Sequence, residues 1–69
     1  MMSFPRVTWD RAANAAAIEF SDAREPRRGV EVQDGNGDVI AVLHFSPAGE
    51  LVELELLDAE VQLPGALRN

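Results

Sequence analysis

The sequence contains no cysteine, no lysine and no tyrosine, and it has one histidine and one tryptophan in 69 residues. Without cysteine there can be no disulfide staple, no thiolate metal site and no thiol nucleophile. No run of 18 apolar residues occurs, so no transmembrane helix is expected. The first residues lack the basic region and apolar stretch of a secretory leader, and a cytoplasmic location follows as the default expectation. Basic charge is scarce as well. Six arginines against 12 acidic residues give a net charge of -6, which argues against nucleic-acid or anionic-membrane partners.

What is present is a hydrophobic fraction of 46%, too high for a disordered acidic tail. One small domain spanning residues 1–69 is expected. Folding a chain of this mass removes about 6,700 Å² from water. At about 25 cal/mol/Å², with about 60% of that area apolar, burial contributes on the order of 100 kcal/mol. Ordering the chain costs about the same, at roughly 1.5 kcal/mol per residue. With no disulfide to tip this balance, a homodimer that shares its core is the simplest remaining source of stability.

Charge is unevenly placed. Residues 1–29 carry five arginines against Asp10, Glu19, Asp22 and Glu25, a net of +1, whereas residues 30–69 carry Arg68 against eight acids, a net of -7. The asymmetry points to an acidic face on the second half, or to pairing between the halves.

Along the chain, residues 3–9 mix aromatic and β-branched types with Pro5 near the start, which suits an edge strand. Residues 10–20 are ambiguous. Asp10 could cap a helix, and the alanines at 12, 13, 15, 16 and 17 slightly favour one; the rival reading is a turn over 10–14 followed by a strand over 15–20. Residues 21–28 are polar, charged and contain Pro26, so they read as a loop. Val30 to Gln33 alternates as a short strand, and Asp34-Gly35-Asn36-Gly37-Asp38 is the clearest turn signal in the chain.

Val39 to Phe45 follows as a strand that is apolar on both faces, with Ile40, Val42 and His44 opposed to Val39, Ala41, Leu43 and Phe45. Such a strand requires cover on both sides, from another layer or from a second subunit. Ser46-Pro47-Ala48-Gly49 is a second turn. Residues 50–57 place Val52, Leu54 and Leu56 opposite Glu53 and Glu55, a period of two that favours a strand over a helix. A short helical turn is expected over 58–63, ended by Pro64-Gly65. The fold expected is therefore mainly β: an antiparallel meander of four to five strands with a short C-terminal helical turn. Ile40, Val42, Leu43, Phe45, Val52, Leu54 and Leu56 are the candidate dimer core.

Three patterns could carry chemistry. Asp34, Asn36 and Asp38 sit at alternate positions like the first ligands of a calcium loop. The sixth and twelfth positions, however, hold Val39 and Phe45 where Gly and an acid are required, so the stretch reads as a hairpin turn. His44 and Ser46 lie two apart, but no Gly-x-Ser-x-Gly elbow accompanies them, and His44 reads as structural. Glu50, Glu53, Glu55, Asp58 and Glu60 form a candidate interaction surface for a basic partner or for Arg24, Arg27 and Arg28 of a second copy. Paired carboxylates can hydrolyse glycosides, but a chain with one Trp and no Tyr has little material for a sugar-binding cleft. No catalytic residue, metal or cofactor is expected.

The order of these pieces resembles a family of small bacterial proteins, the domain of unknown function DUF2283. The matching residues are Trp9-Asp10, Ala13-Asn14-Ala15, Ile18, Phe45, Gly49, Leu51-Val52, Leu54-Glu55-Leu56-Leu57-Asp58-Ala59 and Leu63-Pro64, within about residues 7–64. The resemblance implies that residues 15–20 are a strand. Members tend to have large residues where Ala16 and Ala17 stand, often Asp at Asn14 and commonly Gly at Glu53, so local packing here departs from the family's. Similar proteins are sometimes encoded beside small toxin-like proteins. The function expected is thus a non-enzymatic interaction module, in its sharper form an antitoxin-like binder of a small basic protein. The alternative is a structural homodimer or accessory subunit, with a small-ligand binder or enzyme third.

Overall fold

Three tight turns fold the chain into hairpins in a computed structural model that describes residues 3–22 and 27–68. In the first, the Asp10 carboxylate accepts the Ala13 N–H at 3.1 Å and Asn14 takes a positive φ of 52°. In the second, Asp34 Oδ1 accepts the N–H groups of Asn36 and Asp38, and Gly37 has φ +84°. In the third, Ser46 N–H donates to the Glu50 carbonyl and Gly49 has φ +94°, a conformation that costs any other residue strain.

The strands so connected are β1 (Arg6–Asp10), β2 (Ala15–Glu19), β3 (Arg28–Gln33), β4 (Val39–Phe45) and β5 (Leu51–Leu56). They form one antiparallel sheet in the order β1-β2-β5-β4-β3. The protein is mainly β, as the sequence led us to expect. β3, β4 and β5 run as a meander, while β2 neighbours β5 rather than β3. The chain between β2 and β3 therefore passes two strands, and its middle, Ala23 to Pro26 with Arg24, lies outside the described residues.

The helix favoured locally over residues 10–20 does not form, and the strand implied by the resemblance does. Asp10 caps a turn instead of a helix, the positive φ of Asn14 would break a helix there, and residues 16–19 are paired into the sheet on both sides. A helix of 11 residues is marginal on its own, so two flanking strands outweigh alanine's preference.

Partners directly opposite in antiparallel register share a face. Two apolar rows therefore cross all five strands on one side of the sheet. One row is Trp9, Ala16, Leu56, Ala41 and Val32; the other is Val7, Ile18, Leu54, Leu43 and Val30. After β5 comes a single helical turn, α1 (Ala59–Gln62), and a 3-10 turn, η1 (Gly65–Leu67). Ala59 and Leu63 bury themselves against Ala16, Ala41 and Leu56 of the first row. The Trp9 ring, at the β1 end of that row, lies beneath the guanidinium groups of Arg11 and Arg68 at 4.4 and 5.7 Å.

α1 is fastened by a residue far away in sequence. Asn14 Nδ2 donates to Asp58 Oδ1 at 2.8 Å, its Oδ1 accepts the Glu60 N–H at 2.8 Å, and its carbonyl accepts the Ala59 N–H at 3.0 Å. Asp58 stands at the N-cap position but makes no cap bond of its own, so Asn14 satisfies two of the turn's free N–H groups. No helix among the described residues is long and apolar enough to cross a membrane.

Candidate functional site

The other side of the sheet is polar and carries the charge. One row across it reads Arg6, Glu19, Glu53, His44 and Gly29; the next reads Thr8, Ala17, Glu55, Val42 and Glu31. Glu19 and Glu53 stand directly opposite one another, an arrangement that repels. Each carboxylate is offset by an arginine: Arg6 pairs with Glu19 at 2.9 Å and Arg27 with Glu53 at 2.5 Å.

His44 lies on β4 directly across from Glu53, and its Nε2 is 3.1 Å from Glu55 Oε1. One donor atom from each of His44, Glu53 and Glu55 can be chosen so that all three lie within 4.8 Å of one another, and all three residues are half-buried. Beside them the sheet is hollow. A depression of about 390 Å³ is bordered by these three side chains and by Thr8, Ala15 and Ala17. The side chains of Ala15 and Ala17 are small and leave this space open.

The five acids of the candidate interaction surface are distributed rather than clustered. Glu53 and Glu55 lie on the polar face and are paired with Arg27 and His44. Glu50 belongs to the turn before β5, whereas Asp58 and Glu60 follow its other end beside Asn14. At about 3.3 Å per residue the two groups are separated by roughly the whole length of the strand. Arg27 meets Glu53 within the same chain, and the Arg28 guanidinium sits 5.5 Å from the Phe45 ring.

The candidate dimer core divides in a similar way. Leu43 and Leu54 belong to the second apolar row, which is only half-covered. Val52 and Leu56 are buried inside the chain, Ile40 packs against the buried cluster, and Val42 is on the polar face. Phe45 falls at a register irregularity at the end of β4. Val7, Ile18 and Val30, which complete the half-covered row, were absent from that set because strand order decides it.

Ser46 is buried, and its hydroxyl accepts the Glu50 N–H at 3.2 Å, stabilising the turn. It has no part in the His44 pair. The Asp34 carboxylate is engaged by its own turn's N–H groups, in keeping with a hairpin. The His44, Glu53 and Glu55 grouping was missed by sequence reasoning, although a signal existed. A tight turn at 46–49 sets 44 opposite 53 as soon as both flanking segments are taken as strands.

Residues 6–60 match the family described as protein of unknown function, DUF2283. No curated protein and no solved structure matches the chain.

Proposed function

Because the chain belongs to the DUF2283 family of proteins of unknown function, we propose from its own geometry that it is a non-enzymatic interaction module. It assembles as a homodimer through the half-covered side of its sheet. The observation that carries this is the row Val7, Ile18, Leu54, Leu43 and Val30. It crosses every strand, is apolar throughout, and ends at Val30 with 39% of its surface still exposed. Phe20, just past the end of β2, is 42% exposed.

An apolar sheet face is stable when a second layer covers it, and two such faces pack about 10 Å apart as a sandwich. The protein measures 31 × 30 × 19 Å. Its broad side is thus large enough for the roughly 800 Å² per partner of an ordinary stable interface. Docking of a basic partner on the acidic residues is the lesser reading, because Glu53 already pairs with Arg27 and the remaining acids stand apart.

Light scattering coupled to size exclusion tests the proposal. At about 100 µM the chain should run at twice its 7.5 kDa mass, and Leu43→Asp should run as a folded monomer. A parent that stays monomeric overturns the reading. So does a Leu43→Asp protein that still dimerises, which would move the contact to a sheet edge.

A further inference from the structure

We infer that His44, Glu53 and Glu55 form a binding site for a divalent transition-metal ion of the zinc type. The site lies on the polar face, opposite the proposed dimer surface, and it stands or falls independently of that reading.

The argument begins with the donor set. One imidazole and two carboxylates suit zinc, manganese or iron, whereas calcium calls for six to eight oxygens and magnesium keeps most of its waters. An ion with bonds of about 2.0 to 2.2 Å holds neighbouring donors about 3.4 Å apart when tetrahedral. His44 Nε2 and Glu55 Oε1 are at 3.1 Å already, and no pair in the trio exceeds 4.8 Å. The remaining gap, at most about 1.4 Å between 4.8 Å and the tetrahedral spacing, is small against the reach of a glutamate side chain.

The backbone is well fixed. His44 is on β4 and both glutamates are on β5, and each of these strands is paired on both sides. Side-chain exposures of 22%, 17% and 38% for His44, Glu53 and Glu55 mean that the donors have lost part of their water, which strengthens their attraction for a cation. Arg27 Nη1 donates to Glu53 Oε1, and a hydrogen bond of this kind orients a ligating carboxylate in metal sites. The depression over Ala15 and Ala17 has room for waters to complete the coordination, since each occupies about 30 Å³.

Calorimetric titration of zinc chloride into the full chain at neutral pH tests the site. We expect one ion per chain at micromolar affinity, and at least a tenfold loss in both His44→Gln and Glu55→Gln. Cobalt(II) should give a visible absorption band with the parent that is lost in His44→Gln. Circular dichroism of each variant separates lost binding from lost fold, and if one variant unfolds the other decides. Failure of zinc to bind below about 1 mM overturns the inference. Undiminished binding in either folded variant overturns it as well, and would place the ion elsewhere on the acidic surface.

Discussion

Replacing Asn14 with alanine should cost about half of the stability of this chain. The substitution removes two side-chain hydrogen bonds, to the Asp58 carboxylate and from the Glu60 N–H, both 2.8 Å. Each contributes about 1 kcal/mol at a partly solvated position. It also places a Cβ-bearing residue without a local hydrogen bond at φ 52°, at a further cost of about 1 kcal/mol. The total, about 3 kcal/mol, compares with the roughly 0.05 to 0.15 kcal/mol per residue that small domains possess. At about 4 to 8 °C per kcal/mol, the melting temperature should fall by about 12 to 24 °C.

Two companion variants separate the causes. Asn14→Gly keeps the positive φ and loses only the bonds, so it should melt between the parent and the alanine variant. Asn14→Asp keeps the acceptor for Glu60 but sets a second carboxylate against Asp58. It should melt below the parent, and the gap should narrow at 1 M salt, where the screening length is about 3 Å. Circular dichroism melts at one fixed protein concentration provide the comparison. An alanine variant that melts within about 3 °C of the parent would refute the view that Asn14 fastens α1 to the sheet. Glycine and alanine variants of equal stability would remove the backbone part of it.

Two neighbouring alanines should respond oppositely to enlargement. Ala16→Leu forces methylenes under Ala59 and Leu63, where Ala16 is only 4% exposed, and should cost about 1 to 3 kcal/mol; Ala17→Leu points into the open depression and should change thermal stability by no more than about 0.5 kcal/mol. Gly49→Ala, at φ +94°, should destabilise by about 1 kcal/mol or more. Gly35→Ala, with nothing within 4 Å of its added methyl and no positive φ, is the matching control and should be near neutral in the same melts.

Strands β4 and β5 were legible because their signals are local: two turns rich in glycine bracket Val39–Phe45, and Glu53 and Glu55 alternate with Val52, Leu54 and Leu56. β2 was not, because the five alanines within residues 12–17 carry almost no pattern. What makes Ala15–Glu19 a strand is its position between β1 and β5, and the pairing with β5 joins residues more than 30 places apart. The same distance hid the half-covered row, whose five members come one from each strand. It also hid the role of Asn14, whose partners Asp58 and Glu60 are 44 and 46 residues away. The acidic run looked like one surface because it is continuous in sequence, but a strand sends alternate side chains to opposite faces and separates its two ends.

Alanine, which obscured β2, is also frequent in the core, and this explains why a second copy matters to stability. Among the described residues six apolar ones are buried; Ala16, Ala41 and Ala59 of these are alanines, and the largest side chain buried almost completely is Leu63. Small residues let α1 lie close to the sheet, but each contributes little burial. The larger side chains Ile18, Leu43 and Leu54 sit in the half-covered row instead. Covering about 40 Å² on each of that row's five residues in both copies would remove about 400 Å² from water, on the order of 10 kcal/mol. Association itself costs about 4 to 15 kcal/mol. The row alone thus roughly offsets the cost of association, and the rest of the broad face must contribute the surplus that holds the proposed dimer together and feeds into the stability of each protomer. Its melting temperature should rise with protein concentration, as mass action requires of any partner bound only by the folded state. Leu43→Asp should abolish that rise along with the dimer. A parent protein that melts at the same temperature at 2 and 200 µM would mean that its own small core is sufficient.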